Sequence, residues 1–194
     1  MSKKSFKEEW KDNECKVIDS VQGEKKKKTL YIWKLITSFG RPYFWLILAA
    51  FFALFQIFHV SYVLFLAGAS YLISVAPLKR FIKRKRPHES CNEVEALKES
   101  VKPHSFPSGH TYYATVSSVS LGLVYHGIGF LIFMVALAVL VGYSRIYIGV
   151  HYPTDVLFSF ILAIIISFLI FIFSPLILKL HLITLKALKL ALKG

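Results

Sequence analysis

The sequence predicts an all-α membrane protein, a polytopic helix bundle with about five spanning helices and an interfacial amphipathic helix at each end. Three stretches contain no Asp, Glu, Lys or Arg, namely residues 42–78, 111–143 and 156–178. A helix needs roughly 20 apolar residues to cross the hydrocarbon core. Each of the first two stretches can therefore cross twice as short helices, and the third can cross once. Hydrophobic residues make up 55% of the chain, which exceeds ordinary globular usage.

The first part of the chain differs sharply from this apolar pattern. Residues 1–28 are polar and basic, and we interpret them as a segment that faces solvent or lipid headgroups. No apolar core of a signal peptide is expected there. Residues 29–39 suit an interfacial helix with Trp33 at headgroup level. They begin a membrane-embedded domain that we assign to residues 29–174.

Turn and proline signals divide the apolar stretches into elements. The predicted spans are residues 43–57, 59–77, 108–125, 127–144 and 153–173. Pro77 and Pro175 are expected to end the second and fifth spans, because proline disrupts a helix interior. Residues 87–107 have no apolar period and are predicted to form a long loop over one membrane face. The tail, residues 175–194, spaces lysines among Leu and Ile, as in a basic amphipathic helix that lies on the membrane.

The net charge of +13 suggests anionic partners. The charge is divided into blocks beside the apolar stretches, and in a membrane protein such blocks contact lipid headgroups or lie in loops. No basic and aromatic module accompanies them, so we expect no nucleic-acid partner. Cys15 and Cys91 have neither metal-ligand spacing nor a framework pattern, and we expect two free thiols.

Three polar strings lie at the ends of predicted spans. They are Lys79 with Arg86-Pro87, then Pro107-Ser108-Gly109-His110, then Ser144-Arg145 with His151 and Asp155. With five crossings, all three strings fall at one membrane face. Polar groups at helix ends can be solvated at small cost. The hydropathy pattern therefore predicts that the three strings meet in one plane.

These strings supply the groups that a phosphate needs. Arg86 and Arg145 offer planar forks that match phosphate oxygens, and Lys79 offers a compact positive charge. The backbone N–H groups of Ser108 and Gly109, at the start of a helix, add donors and a favourable dipole. Together they predict a phosphate-binding pocket that requires no metal ion or other cofactor.

Two histidines and one carboxylate supply the chemistry. Imidazole is a competent nucleophile when its other ring nitrogen is held by a carboxylate. His151 and Asp155 are four residues apart at the start of the fifth span, so we predict that Asp155 orients the His151 nucleophile. His110 can protonate the leaving oxygen and later activate water.

At this point the sequence resembles the type 2 phosphatidic acid phosphatase superfamily. Every signature position of that family is filled by the three strings, and the resemblance covers about residues 30–174. It implies an all-helical core and a phosphohistidine mechanism in which His151 is the nucleophile, Asp155 its partner and His110 the acid and base. It also implies that phosphate is held by a set of five residues: Lys79, Arg86, Ser108, Gly109 and Arg145. Many bacterial members have six spanning helices, whereas here an interfacial segment stands in place of the first.

Three functions are compatible with these residues. The first is metal-independent hydrolysis of an amphiphilic lipid phosphate or diphosphate, such as an isoprenyl diphosphate, phosphatidic acid or phosphatidylglycerol phosphate. The second is transfer of the phosphate or headgroup to another acceptor at the same site. The third is a non-catalytic membrane adaptor that gathers anionic lipids.

The side of the membrane is the least constrained prediction. The predicted site's face carries 20 Lys and Arg against four at the other end, which by the positive-inside tendency favours the cytoplasm. Many of those cations are predicted to be functional, which weakens the rule, and family members usually act outside. We therefore expect a multi-pass protein of the cell membrane with an extracytoplasmic site.

Overall fold

The computed structural model describes residues 5–23, 29–97 and 103–191. Within these ranges the regular structure is helical. The helices are α1 (Phe6–Gln22), α2 (Leu30–Ser38), α3 (Pro42–Leu54), α4 (Phe58–Phe81), α5 (Pro87–Ser90), α6 (Gly109–Val124), α7 (Ile128–Tyr147) and α8 (Pro153–Ala191). The predicted all-α membrane fold class is thus confirmed.

Local signals explain where several helices begin. Ser5 caps α1 in a reciprocal arrangement with Glu8, which satisfies two backbone N–H groups at once. Pro42 occupies the first turn of α3, where the missing N–H costs nothing. The Ser108 hydroxyl accepts a hydrogen bond from the backbone N–H of Thr111 at the start of α6.

The innermost helix is α6, which packs against α4, α7 and α8. Small residues let its neighbours approach closely, as is common between membrane helices. A Cβ added at Gly122 would lie 2.7 Å from Leu131 of α7, and one added at Gly142 of α7 would lie 2.9 Å from Val156 of α8. The elements that carry the motif strings are therefore held together around α6.

The outer surface of the bundle is apolar. Large side chains such as Phe65, Ile73, Phe133 and Ile165 are more than half exposed. Among the described residues, α4, α7 and the 153–176 part of α8 are long and apolar enough to cross a membrane. The pair α2 and α3, bent by 49°, supplies a possible fourth crossing. The predicted count of five also includes α6, which has 16 residues, and is approximate.

Two predicted helix ends are wrong. Helix α4 continues through Pro77 to Phe81, and α8 continues through Pro175 into the basic tail. A proline removes one hydrogen bond, but a long helix supported by tertiary packing can tolerate that loss. One consequence is that Lys79 lies in the last turn of α4, rather than in a loop. The separate membrane-surface role of residues 175–194 stays a prediction.

The N-terminal segment is not simply solvated, contrary to our expectation. Residues 6–22 form α1, which packs against α7 and α8 and buries Ile18 completely. The expectation of two free thiols is also wrong, because Cys15 of α1 and Cys91 form a disulfide. Sequence spacing could not reveal this pairing, since the two cysteines are 76 residues apart and meet only through the tertiary fold.

Removing this disulfide is expected to lower thermal stability. Closing a loop of this length stabilises the folded state by about 4 kcal/mol in the chain-entropy account, or about 10 °C in the midpoint. The measurement is detergent-solubilised melting of Cys15→Ser/Cys91→Ser beside the wild type. A thiol reductant should lower the wild-type midpoint and leave the double variant unchanged. Equal midpoints for both proteins under oxidising conditions would contradict the prediction.

Candidate active site

The connection between α7 and α8 presents His151. Nδ1 of His151 lies 3.5 Å from Oδ2 of Asp155, and both side chains are buried. The same Asp155 oxygen accepts a hydrogen bond from the backbone N–H of Tyr152 at 3.0 Å. The predicted histidine and carboxylate are therefore brought together at the start of α8.

Gly149 shapes the turn that leads to His151. Its φ of +76° is one that glycine adopts readily and other residues do not. A Cβ added there would lie 2.4 Å from the backbone oxygen of Glu95 and 2.6 Å from Nε2 of Gln22. Both conformation and space therefore require glycine two residues before His151.

Two of the predicted cations converge on the same backbone oxygen. Nη1 of Arg86 lies 3.4 Å from Nε2 of His151 and donates to the Val150 carbonyl oxygen at 2.6 Å. Nη2 of Arg86 donates to the His104 carbonyl oxygen at 3.3 Å, and Nζ of Lys79 donates to that oxygen at 3.3 Å. Arg86 thus lies on the side of the His151 ring opposite the nitrogen that faces Asp155.

Arg145 enters the site from the last turn of α7. It is 2% exposed, and its Nη1 donates to the hydroxyl of Thr37 at 2.8 Å. A buried guanidinium is costly to desolvate unless polar groups surround it. Thr37 comes from α2, so the interfacial helix helps to orient this cation.

The start of α6 brings its backbone amides to the same region. The backbone N–H of Ser108 lies 3.4 Å from the backbone oxygen of Asp155. Ser108 is fully buried, and its hydroxyl is also 2.9 Å from that of Thr111. Gly109 lies against Tyr71 of α4, since an added Cβ would be 3.4 Å from that ring. The helix N-terminus is thus close to the first turn of α8.

His110 lies where α2 and α3 meet α6. A Cβ added at Gly40 would be 2.8 Å from Cβ of His110, so the corner between α2 and α3 contacts this histidine closely. The positive charges of Arg145, Arg41 and Arg86 act on His110, and His151 also lies within its electrostatic range. All eight predicted site residues therefore come from elements that meet at one end of the bundle.

The surroundings of His151 favour its neutral form. Burial is the main cause, and the positive charges of Arg145, Arg86 and Lys79 add to it, so that the pKa of His151 is well below its ordinary value. A neutral imidazole retains a free lone pair on one ring nitrogen. The surroundings therefore favour the neutral form of the His151 imidazole, which is the form that can act as a nucleophile.

Two charged residues contact Asp155 or its neighbours but were not predicted. Arg84 donates to Oδ1 of Asp155 at 2.7 Å, and Glu14 accepts a hydrogen bond from the backbone N–H of Thr154 at 3.1 Å. Arg84 was concealed within a run of basic residues. The capping signal of Ser5 and Glu8 marks the helix that carries Glu14. That signal could have identified a structured α1.

The sequence and the fold match known proteins. Residues 58–178 match the family model of the PAP2 superfamily. The undecaprenyl-diphosphatase of Sulfolobus acidocaldarius is 28% identical over 135 residues, which cover 69% of this chain and 65% of that protein. Phosphatidylglycerophosphatase B of Bacillus subtilis is 39% identical over 103 residues, covering 48% of this chain and 47% of that protein. The chain spans less than two thirds of the length of these curated relatives.

Two solved structures resemble the fold over most of its length. One is the PAP2-type phosphatidylglycerolphosphate phosphatase of Bacillus subtilis, with a TM-score of 0.73, 26% identity, and coverage of 86% of this chain and 87% of that one. The other is LpxE of Aquifex aeolicus, with a TM-score of 0.70, 25% identity, and coverage of 80% and 92%. Since the family model covers more than half of the chain and includes all three polar strings, the protein belongs to the PAP2 superfamily.

Proposed function

We propose that this protein hydrolyses a lipid phosphate or diphosphate at the membrane boundary, through a phosphorylated His151 and without a metal ion. The observation that carries the proposal is the position of His151 between Asp155 and Arg86, with Nδ1 3.5 Å from one and Nε2 3.4 Å from the other. A nucleophile oriented by a carboxylate thus faces a cation that can hold the group under attack.

In the first step, Nε2 of His151 attacks phosphorus, and the bond between phosphorus and the leaving oxygen breaks. His110 gives a proton to that oxygen, so the lipid leaves as an alcohol or as a monophosphate. Asp155 stabilises the positive charge that develops on the His151 ring. Arg86 and Arg145, with Lys79 nearby, hold the equatorial oxygens as their charge rises.

In the second step, a water molecule gives a proton to His110 and attacks the phosphorus of phosphohistidine. The bond between phosphorus and Nε2 breaks, which returns His151 to its neutral form and releases inorganic phosphate. The backbone N–H of Gly109 at the start of α6 stabilises the phosphate oxygens in both steps, whereas that of Ser108 donates to the backbone oxygen of Asp155. Each half of the reaction therefore uses the same charges.

An amphiphilic substrate fits this location. The proposed site lies at one end of a bundle whose sides expose large apolar residues, so a lipid can keep its chain in the bilayer while its phosphate enters the polar pocket. Relatives of this chain are named as acting on undecaprenyl diphosphate and phosphatidylglycerophosphate. We propose the same substrate class here, with phosphatidic acid as a third candidate.

The proposal is tested by phosphate release from these three lipids in detergent micelles that contain a chelator. Release of phosphate under these conditions supports the hydrolase. Transfer of the phosphate to an added alcohol, in competition with water, would indicate a transferase instead. If purified protein turned over none of these lipids while still binding anionic vesicles, the adaptor function would be favoured.

We further propose that the site faces the extracytoplasmic side. Disulfides persist in oxidising compartments, and the Cys15–Cys91 bond ties α1 to a loop at the site's end of the bundle. A membrane-impermeant reductant followed by an impermeant maleimide should label both cysteines in intact cells. Labelling that requires opened cells would place the site in the cytoplasm.

The low pKa of His151 predicts the acid limb of the pH profile. The nucleophile must be neutral, so on the acid side of the profile activity is lost as pH falls through the lowered pKa of His151. We expect the midpoint of this acid limb, measured in kcat/KM, to lie below pH ~6.5, the ordinary pKa of histidine. The profile is measured after correction for ionisation of the substrate phosphate. An acid limb with its midpoint above the ordinary histidine pKa would contradict the assignment of this limb to His151.

A further inference from the structure

A chain of charged groups leads from α1 to Asp155. Arg84 lies between two carboxylates, with Nη1 2.7 Å from Oδ1 of Asp155 and Nη2 2.5 Å from Oε2 of Glu14. Asp155 is fully buried and Glu14 is only 5% exposed. None of the three motif strings contains Glu14 or requires Arg84. The arrangement therefore adds two charges to the site that the predicted mechanism does not use.

Both members of this added pair are held in place by further contacts. The guanidinium of Arg84 lies 3.8 Å from the centre of the Tyr152 ring, and its Nη1 also donates to the Thr154 hydroxyl at 2.8 Å. Oε1 of Glu14 accepts hydrogen bonds from the Thr154 hydroxyl at 2.6 Å and from its backbone N–H at 3.1 Å. Glu14 thus binds both Arg84 and the first turn of α8, which carries Asp155.

Helix α1 itself is fixed to the rest of the protein beside Glu14. The next residue, Cys15, forms the disulfide with Cys91. At the end of the helix, Nε2 of Gln22 donates to the backbone oxygens of Tyr147 at 3.1 Å and Glu95 at 2.8 Å. These two anchors, both C-terminal to Glu14, restrict the movement of α1. The Glu14 carboxylate is therefore delivered to a defined position.

We propose that Glu14 is a positioning residue that acts through Arg84 on the Asp155–His151 pair, so that the N-terminal helix is part of the catalytic apparatus. The inference rests on the proposed function. Its physical basis is charge balance. With Glu14 present, two carboxylates share one guanidinium, and one net negative charge remains beside the imidazole. Without Glu14, Arg84 would neutralise Asp155, which would then polarise His151 less.

This balance matters because His151 is surrounded by positive charge. Arg145 faces it from α7, Lys79 from the end of α4 and Arg86 from the segment after α4, and His110 is close on α6. Asp155 on α8 opposes them. A change of one unit of charge in the Glu14–Arg84–Asp155 group should therefore alter both the nucleophilicity and the titration of His151.

The test compares variants that change this charge in opposite directions. Glu14→Gln removes a negative charge, so we expect kcat to fall about tenfold and the acid limb of kcat/KM to move about half a pH unit lower. Arg84→Gln removes a positive charge, so the limb should move higher. The double variant restores the original charge, and its limb should return to within a few tenths of the wild-type position.

Matched variants separate this role from a general loss of structure. Glu9→Gln changes an exposed carboxylate on the same helix and should leave kcat and the limb unchanged. Glu14→Asp keeps the charge, so its limb should match the wild type. Loss of folded protein lowers the amount of activity but leaves the limb of the remaining activity in place. The position of the limb is therefore the decisive measurement.

The outcomes are distinct. The inference would be overturned if the acid limbs of Glu14→Gln and Arg84→Gln coincided with that of the wild type. It would also be overturned if the two limbs moved in the same direction. If Glu14→Gln has no measurable turnover, Glu14→Asp decides, since restored turnover supports the charge role and equal inactivity refutes it. Wild-type protein that releases phosphate from no lipid would refute the proposed function instead.

Discussion

Replacing His151 with alanine is expected to reduce phosphate release by at least about a thousandfold, because the reaction loses its nucleophile. The side chain is 2% exposed, and the ring lies between Asp155 and Arg86. Water is a poor replacement, since it lacks the orientation that Asp155 gives to the imidazole. In the wild type, rapid quenching with a radiolabelled lipid phosphate should trap label on the protein. Phosphohistidine is stable in alkali and lost in acid, which distinguishes it from phosphoserine.

A second histidine variant serves as the control. His126 connects α6 and α7 with a φ of +52°, which asparagine tolerates, so His126→Asn is expected to retain activity. His110→Ala should slow both chemical steps, and the trapped label should persist longer if the second step is affected more. Full turnover by His151→Ala, or a label that resists acid, would exclude the phosphohistidine mechanism.

Replacing Gly149 with alanine is expected to cost about a hundredfold in activity, because a displacement of about 1 Å in a catalytic group has an effect of this size. Alanine at a positive φ costs about 1–2 kcal/mol. Its Cβ would also meet the Glu95 backbone oxygen at 2.4 Å, so one of the two segments must move. Either movement displaces the turn that presents His151. Activity and melting temperature should both fall.

Gly129 provides a matched glycine variant. It lies in the first turn of α7, and a Cβ added there would meet nothing within 4 Å. Alanine favours the helix by up to about 1 kcal/mol over glycine, so Gly129→Ala should retain full activity and equal or greater stability. If Gly149→Ala behaved like Gly129→Ala, the close contact at Gly149 would not constrain the site.

The sequence predicted the motif-bearing helices well because their signals are local. The charge-free stretches set the spans, and Ser108 and Pro153 mark the starts of α6 and α8. His151 and Asp155 are four residues apart at a helix start, so their proximity follows from short-range geometry. The PAP2 family assignment rests on the same strings and is confirmed. The catalytic roles stay predictions.

What the sequence did not predict depends on contacts between distant segments. Glu14 reaches Thr154 across 140 positions, and the two cysteines pair across 76. No local pattern encodes such docking. The predicted break at Pro77 failed for a related reason, because packing of α4 outweighs the local preference of proline. By composition, residues 1–28 resemble a solvated tail. The helical spacing of Ile18 and the buried residues around it is nevertheless typical of a packed helix.

The docking of α1 against the beginning of α8 constrains biosynthesis. Helix α1 is synthesised before α8, and its Glu14 binds Thr154, which lies 140 positions later in the sequence. This contact can therefore form only after α8 has been synthesised. A chain that stops before α8 would lack the Thr154 groups that donate to Glu14, although it would contain both cysteines. The contact between Glu14 and Thr154, unlike the disulfide, therefore requires α8 to be in place.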